Sequence, residues 1–303
     1  MGRKMMFAPV LFITGPTASG KSDLAVALAR QSGAEVVAMD AFQVYRGLDI
    51  GTDKPSKKIQ AEIPHHLLDL VEPVQPFSVA DYLRHAQAVR EDLLARNRPS
   101  IWVGGTGFYF RALRQGLSSA PASDPTVIKA LEQRSTQDLA EEIKRLDPAW
   151  AAQADLKNRR RIIRALAVVQ QTGQPLSFWQ QQRSSPVVSE SKAVCLVLEI
   201  SALREKINRR VHTMWENGWP EEVARLRRLA SWEASQSAAA IGYRAILSYL
   251  DGELDKEACL RQIALETGQF AKRQLTWFRA EPNILRVPAD DAEKLRAKVL
   301  PLL

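Results

Sequence analysis

Gly15-Pro16-Thr17-Ala18-Ser19-Gly20-Lys21-Ser22 decides the fold of this chain. The stretch follows the apolar run Val10-Leu11-Phe12-Ile13 and opens the helical pattern from Asp23 to Ala29. This is G-x-x-x-x-G-K-[ST] in its structural context of strand, glycine loop and helix. Inward-facing backbone N–H groups, the positive end of a helix and the Lys21 ammonium together make an anion cradle. The candidate phosphate ligands are Gly15, Thr17, Ala18, Ser19, Gly20, Lys21 and Ser22, with the Ser22 hydroxyl also placed for a Mg²⁺ held between phosphates. A Gly-rich turn without a ligand is the bland alternative. The pattern predicts an α/β protein with a P-loop NTPase-like parallel sheet.

The composition sets the bounds around that loop. With 303 residues the chain has room for a large domain and an insertion, and 46% hydrophobic with 25% charged residues is ordinary for a globular protein. A net charge of +8 leans toward a polyanionic partner. No apolar run approaches the ~18 residues of a membrane span. Met1-Gly2-Arg3-Lys4-Met5-Met6 lacks the apolar core of a signal peptide, and Cys195 and Cys259 are too few for a disulfide framework or a zinc site. These features predict a reduced, cytoplasmic protein.

Further along, Glu35-Val36-Val37-Ala38-Met39 reads as a buried strand ending at Asp40. Ligand crevices of open α/β sheets lie at such carboxyl ends, so Asp40 is expected beside the phosphate loop as a catalytic carboxylate; capping the next turn or holding Mg²⁺ through water is its alternative. Lys54-Pro55-Ser56-Lys57-Lys58 reads as a mobile basic surface segment. His65-His66 on an extended strand point to opposite faces and make a poor chelate, which favours packing. Ser78-Val79-Ala80-Asp81 reads as a capping box opening a helix to Arg96. The strand Ser100–Val103 then runs into a second glycine turn, Gly104-Gly105-Thr106-Gly107, where Thr106 offers a hydroxyl.

Gly116 to Pro125 reads as a hinge and Arg183 to Ser191 as its return. The stretch between them carries helical patterning throughout, so the expected organisation is a core over 1–118, a helical insertion over 119–190 and a return to the core over 191–303. Inside the insertion Lys157, Arg160, Arg161 and Arg164 share a helical face, with Ile162, Leu166 and Val169 on another. Four like charges without acidic neighbours favour a polyanion over a solvated face. After the strand Val194–Leu198, Ser201 is expected to cap a helix ending near Asn217-Gly218. Near the C-terminus, Gln269 to Arg279 interleaves bases with aromatics; helical spacing puts Trp277 and Phe278 in the core and leaves Lys272 and Arg273 available.

Taken together the chain resembles the bacterial tRNA dimethylallyltransferase family. The stretches that carry the resemblance are Gly15–Ser22, Asp40 with Gln43–Thr52, Ile63–His66, Val103–Tyr109, Arg161–Leu166, Thr172-Gly173, Ala240–Arg244 and Ala271–Arg279, in family order along nearly the whole chain. The resemblance implies that the loop holds the diphosphate of dimethylallyl diphosphate, with Mg²⁺ at Ser22, and that the acceptor is N6 of the adenosine 3′ to the anticodon in tRNA. It implies Asp40 as general base, Lys21 and Thr106 as catalytic partners on the leaving group, and Arg210 on the diphosphate, with Arg209 the competing register. Asp40, Ala41, Phe42 and Gln43 correspond to contacts around the flipped base. Arg160, Arg161, Ile162, Ile163 and Arg164 correspond to a grip on the anticodon stem-loop, and Gly242, Tyr243, Arg244, Lys272 and Arg273 to further tRNA contacts.

This chain departs from the family pattern at Ala41, where Ser is usual, and at Asn158, Arg160, Ala167 and Gly268. The departures bear on tRNA grip and rate, because Lys21, Ser22, Asp40 and Thr106 all stand. Two rivals remain at this level: a small-molecule or nucleotide kinase using the loop with ATP, and a tRNA-binding protein without activity. The expected partners are tRNA and dimethylallyl diphosphate, with no membrane and a monomeric state.

Overall fold

The computed structural model describes residues 8–303; the Met1–Met6 reading lies outside the described residues. Among these, the chain divides into two compact units. One joins the segment up to Arg111 with Val187–Leu303, and the other is Ala112–Pro186.

The first unit is built on a six-stranded parallel sheet. Its elements are β1 (Val10–Thr14), α1 (Lys21–Ser32), β2 (Glu35–Ala38), α2 (Lys57–Glu62), β3 (His65–His66), α3 (Val79–Ala95), β4 (Ser100–Val103) and the first part of α4 (Gly107–Gln115). The spatial order is β3-β2-β4-β1-β5-β6, with β5 (Lys192–Val197) and β6 (Leu285–Pro288) supplied after the second unit. β1 is buried at all five positions, as a central parallel strand covered on both faces must be. Its alternation divides the core. Leu11 and Ile13 pack with Leu24 and Leu28 of α1, and with Leu295 and Val299 near the C-terminus. Phe12 turns to the opposite face, edge-on to Phe110 at 5.2 Å between centroids, and Phe110 in turn meets Phe278.

β1 pairs with β4 on one side and β5 on the other, while β2 pairs with β4. The carboxyl ends of β2, β4 and β1 are therefore neighbours. This places Asp40, the second glycine turn and the phosphate loop in one row, the topological position where α/β sheets hold ligands.

Helices α10 (Ile200–Glu216), α11 (Trp219–Arg227), α12 (Tyr243–Leu250), α13 (Lys256–Ala280) and α14 (Ala292–Val299) complete this unit. None of the described helices is long and apolar enough to cross a membrane.

The second unit contains α5 (Pro125–Glu132), α6 (Thr136–Leu146), α7 (Pro148–Ala151), α8 (Arg159–Thr172) and α9 (Leu176–Gln181). Leu139, Ile143, Trp150, Ile162 and Leu166 form its core. Its two chain ends are zipped together: Ser119 N donates to Gln182 O at 2.8 Å and Ser184 N to Leu117 O at 2.9 Å. The hinge and return stretches are thus partners in a short neck that belongs to the helical unit. The division falls at 111/112 and 186/187, where composition suggests 118/119 and 190/191.

Several local readings need correction. Lys54 is no mobile surface lysine: its ammonium pairs with Asp49 and Asp69, its side chain is 2% exposed, and Ser56 caps α2. Glu199, not Ser201, precedes α10. Lys157 lies before α8, because Asn158 caps that helix by accepting from Arg161 N. The capping box of α3 forms between Ser78 and Asp81, and His65 and His66 are taken up locally by Ile63 O and Glu35.

Candidate active site

The phosphate loop folds as its sequence demands. Gly20 sits at φ 83° as the N-cap of α1, and Ala18 is also left-handed at φ 60°. A left-handed residue on either side of Ser19 curls the loop amides around a concave space. The Lys21 Nζ turns back to donate to Pro16 O at 2.5 Å. Burial and the neighbouring Arg210 guanidinium lower its pKa to about 8, against the pull of Asp40, Cys195 and Asp53.

Asp40 follows β2. Its Oδ1 accepts from Phe42 N at 2.8 Å and Gln43 N at 3.3 Å, so the carboxylate does cap the next turn. That cap uses one oxygen. Asp40 also lines a cavity of about 460 Å³ together with Thr17, Thr106 and Arg210, so the turn and the catalytic reading are compatible. Burial raises the Asp40 pKa above the ordinary carboxylate value, while the two amides, Lys21 and Arg210 pull it back. The Tyr82 hydroxyl, donating to Ala38 O at 3.0 Å, braces the strand end that carries Asp40.

The second glycine turn reaches the same cavity. Thr106 Oγ1 accepts from Ala41 N at 3.3 Å, which leaves its own proton free to donate to a ligand. Gln274 of α13 joins this turn to the phosphate loop: its Oε1 accepts from Thr17 N at 2.7 Å and its Nε2 donates to Gly105 O at 2.9 Å. A Cβ on Gly105 would stand 2.0 Å from that Nε2, so only glycine admits the bridge.

Of the two candidate arginines, Arg210 reaches the loop. Its Nη1 donates to Thr17 Oγ1 at 3.1 Å and lies 3.4 Å from Asp53 Oδ2, whereas Arg209 is exposed and lines a separate cavity. The remaining cavity wall is apolar and aromatic, from Phe42, Ile207, Val211, Met214, Trp219, Phe270 and Trp277. Trp277, expected in the core, is half-buried against this space with the Arg111 guanidinium 4.4 Å over its ring; Phe278 is in the core.

Several expected nucleic-acid contacts are held elsewhere. The Gln43 amide donates to Thr52 O at 2.9 Å. Tyr243 is fully buried with its hydroxyl on Glu222, and the Trp219 ring passes 2.3 Å from where a Gly242 Cβ would be, so both are packing residues. Ile162 and Ile163 are core residues of the helical unit. Arg164 is half-buried, donating to Ser123 and Ala120. Arg160, Arg161, Arg244, Lys272 and Arg273 are exposed, and Arg273 also lines the cavity.

Sequence reasoning missed Gln274 and Glu222. Glu222 is fully buried and accepts from the amides of Asp49, Ile50 and Gly51 and from Tyr243, fixing the loop that carries Asp53. A Gln within the basic-aromatic run was the visible signal for the first; nothing local marks the second.

The IPP transferase family model matches residues 43–281, and an isopentenyl transferase model matches residues 8–64. The chain is 41% identical over 301 residues to a tRNA dimethylallyltransferase of Halorhodospira halophila, covering 97% of this chain and 96% of that protein. It is 44% identical over 280 residues to a tRNA dimethylallyltransferase 1 of Trichlorobacter lovleyi, covering 90% and 91%. A solved structure, the tRNA isopentenylpyrophosphate transferase of Bacillus halodurans, superposes with a TM-score of 0.70 at 33% identity, covering 97% of this chain and 95% of that one.

Proposed function

The chain belongs to the IPP transferase family, and from that premise we propose that it transfers the dimethylallyl group of dimethylallyl diphosphate to N6 of the adenosine 3′ to the anticodon in tRNA. The single observation that carries this reading is the shared cavity. The Asp40 carboxylate, the Thr106 hydroxyl, Arg210 and Thr17 of the phosphate loop all line one apolar, aromatic-walled space. Such a space suits an isoprenoid and a purine; a kinase would want a polar acceptor pocket.

In the reaction, the allylic C1–O bond breaks, the bonding pair leaves with the diphosphate, and the N6 lone pair bonds to C1. The leaving group is stabilised by the loop amides, Lys21, Arg210 and the Thr106 hydroxyl. Asp40 accepts the N6 proton through the carboxylate oxygen that the turn leaves free. The adenosine must leave its stack to enter, and Phe42 and Trp277 offer faces for it.

Mg²⁺ would be held by the Ser22 hydroxyl and the substrate's own phosphates, supplying charge neutralisation to the leaving group. The described residues contain no cluster of three or more His, Cys, Asp or Glu that could hold an ion, so the bound diphosphate would have to supply ligands beside the Ser22 hydroxyl. A monomer acting in the cytoplasm is part of the same proposal.

The test is transfer of labelled dimethylallyl from the diphosphate to unmodified tRNA, with Mg²⁺, by wild type and Asp40→Ala. The wild type should label tRNA, and the variant should lose roughly 10²–10⁴-fold in rate with tRNA affinity nearly unchanged. ATP consumption without tRNA labelling, or tRNA retention without transfer, would refute the proposal.

A further inference from the structure

A second cavity, of about 580 Å³, lies beside the first and is lined by Asp49, Ile50, Asp53, Lys54, Pro55 and Arg209 among others. Two residues line both spaces, Arg210 and Met214. They therefore form the partition between them. Both belong to α10, one turn apart on the face that also carries Ile207 and Val211, so about 6 Å of helix axis separates them.

The two halves of this partition differ in chemistry. Arg210 is committed to the diphosphate end through Thr17 Oγ1 and is steadied by Asp53. Met214 is apolar and 7% exposed, and with Ile207, Val211 and Trp219 it walls the side of the site that adjoins Arg210. A dimethylallyl group is about as long as one helical turn, so one that ran along α10 from a diphosphate at Thr17 and Arg210 would end at the Met214 thioether.

On the reading given under Proposed function, we propose that Met214 sets the prenyl chain length. Its side chain closes the apolar end of the site against the second cavity, so one isoprene unit fits and a second has nowhere to go. Shortening it joins the two cavities, and the far isoprene unit of geranyl diphosphate would extend toward Ile50 and Pro55. The chemistry is unaltered: C1–O breaks, C1–N6 forms, diphosphate departs and the N6 proton passes to Asp40.

The experiment uses the full chain, unmodified tRNA, and dimethylallyl or geranyl diphosphate, with the modified nucleoside identified by mass after nuclease digestion. The quantity read is the ratio of kcat/KM for geranyl over dimethylallyl diphosphate in wild type, Met214→Val and Met214→Ala. The ratio should rise about tenfold in the valine variant and further in the alanine variant, the scale of discrimination an apolar pocket exerts per small group. Because it is a ratio, it does not depend on the active fraction of a variant. Met214→Val removes less of the side chain and carries the same test if Met214→Ala fails to fold. An unchanged ratio in the valine variant overturns the assignment of Met214 while dimethylallyl transfer by wild type leaves the proposed function standing. Absence of any prenyl transfer by wild type overturns both.

Discussion

At the scale of single residues the site rests on two ionisable groups whose surroundings push them toward neutrality. Asp40 is raised by burial, which makes it a better proton acceptor than a solvated carboxylate. Lys21 is lowered to about 8, first by burial and then by Arg210. The folded-state value lies below the unfolded 10.5, so the ammonium costs stability below about pH 8, and the cost fades as pH rises from there to about 10.5. An anion in the loop offsets that cost only while Lys21 is charged. We therefore expect kcat/KM for dimethylallyl diphosphate to fall as pH rises through about 8. In Lys21→Arg, whose guanidinium stays charged, that descending limb should move well to higher pH. The pH–rate profiles of the two enzymes check this, and coincident limbs would remove Lys21 from the leaving-group site.

Among the elements, α13 and α10 contribute as much to the site as the strands. The Gln274 bridge ties Thr17 to Gly105, and its partners are both backbone atoms, so it fixes loop spacing and touches no reacting atom. Gln274→Leu should lower kcat/KM for dimethylallyl diphosphate by about 10- to 100-fold, the loss of two buried hydrogen bonds with their partners stranded. The KM for tRNA should hardly move. Parallel steady-state titrations of the two substrates decide it; equal losses for both would mean that Gln274 supports only the fold. Glu222 plays a comparable part for the loop Asp49–Gly51, and through it for Asp53 and Arg210.

For the molecule as a whole, a polyanion as large as tRNA needs charge outside the cavity. The helical unit supplies Arg160 and Arg161, both exposed, whereas its Arg159 and Arg164 are spent on Thr136, Glu132, Ser123 and Ala120. A double Arg160→Ala, Arg161→Ala variant should bind tRNA more weakly and lower the slope of log K against log salt by about one to two, the counterions released by two phosphate contacts. Filter binding across a salt series measures it. An unchanged slope would make that face a solvated one.

Much of this was legible without coordinates. The phosphate loop, Asp40, the second glycine turn and the long amphipathic helices are local patterns, and backbone sterics and hydrophobic periodicity act locally. The basic face of the insertion was legible only in part, because periodicity began the helix at Lys157 where the Asn158 cap starts it later. Spacing likewise could not tell Trp277, which walls a cavity, from Phe278, which fills the core, since an apolar residue satisfies either environment.

What tertiary structure alone decided is which distant residues meet. The order β2-β4-β1 sets Asp40, Thr106 and Lys21 side by side. The return of the chain through α10 and α13 then brings Arg210 to Thr17 across 193 positions and Gln274 across 257. Such contacts depend on how strands order and helices cover a sheet, a free-energy balance over the whole chain that no short window of sequence records.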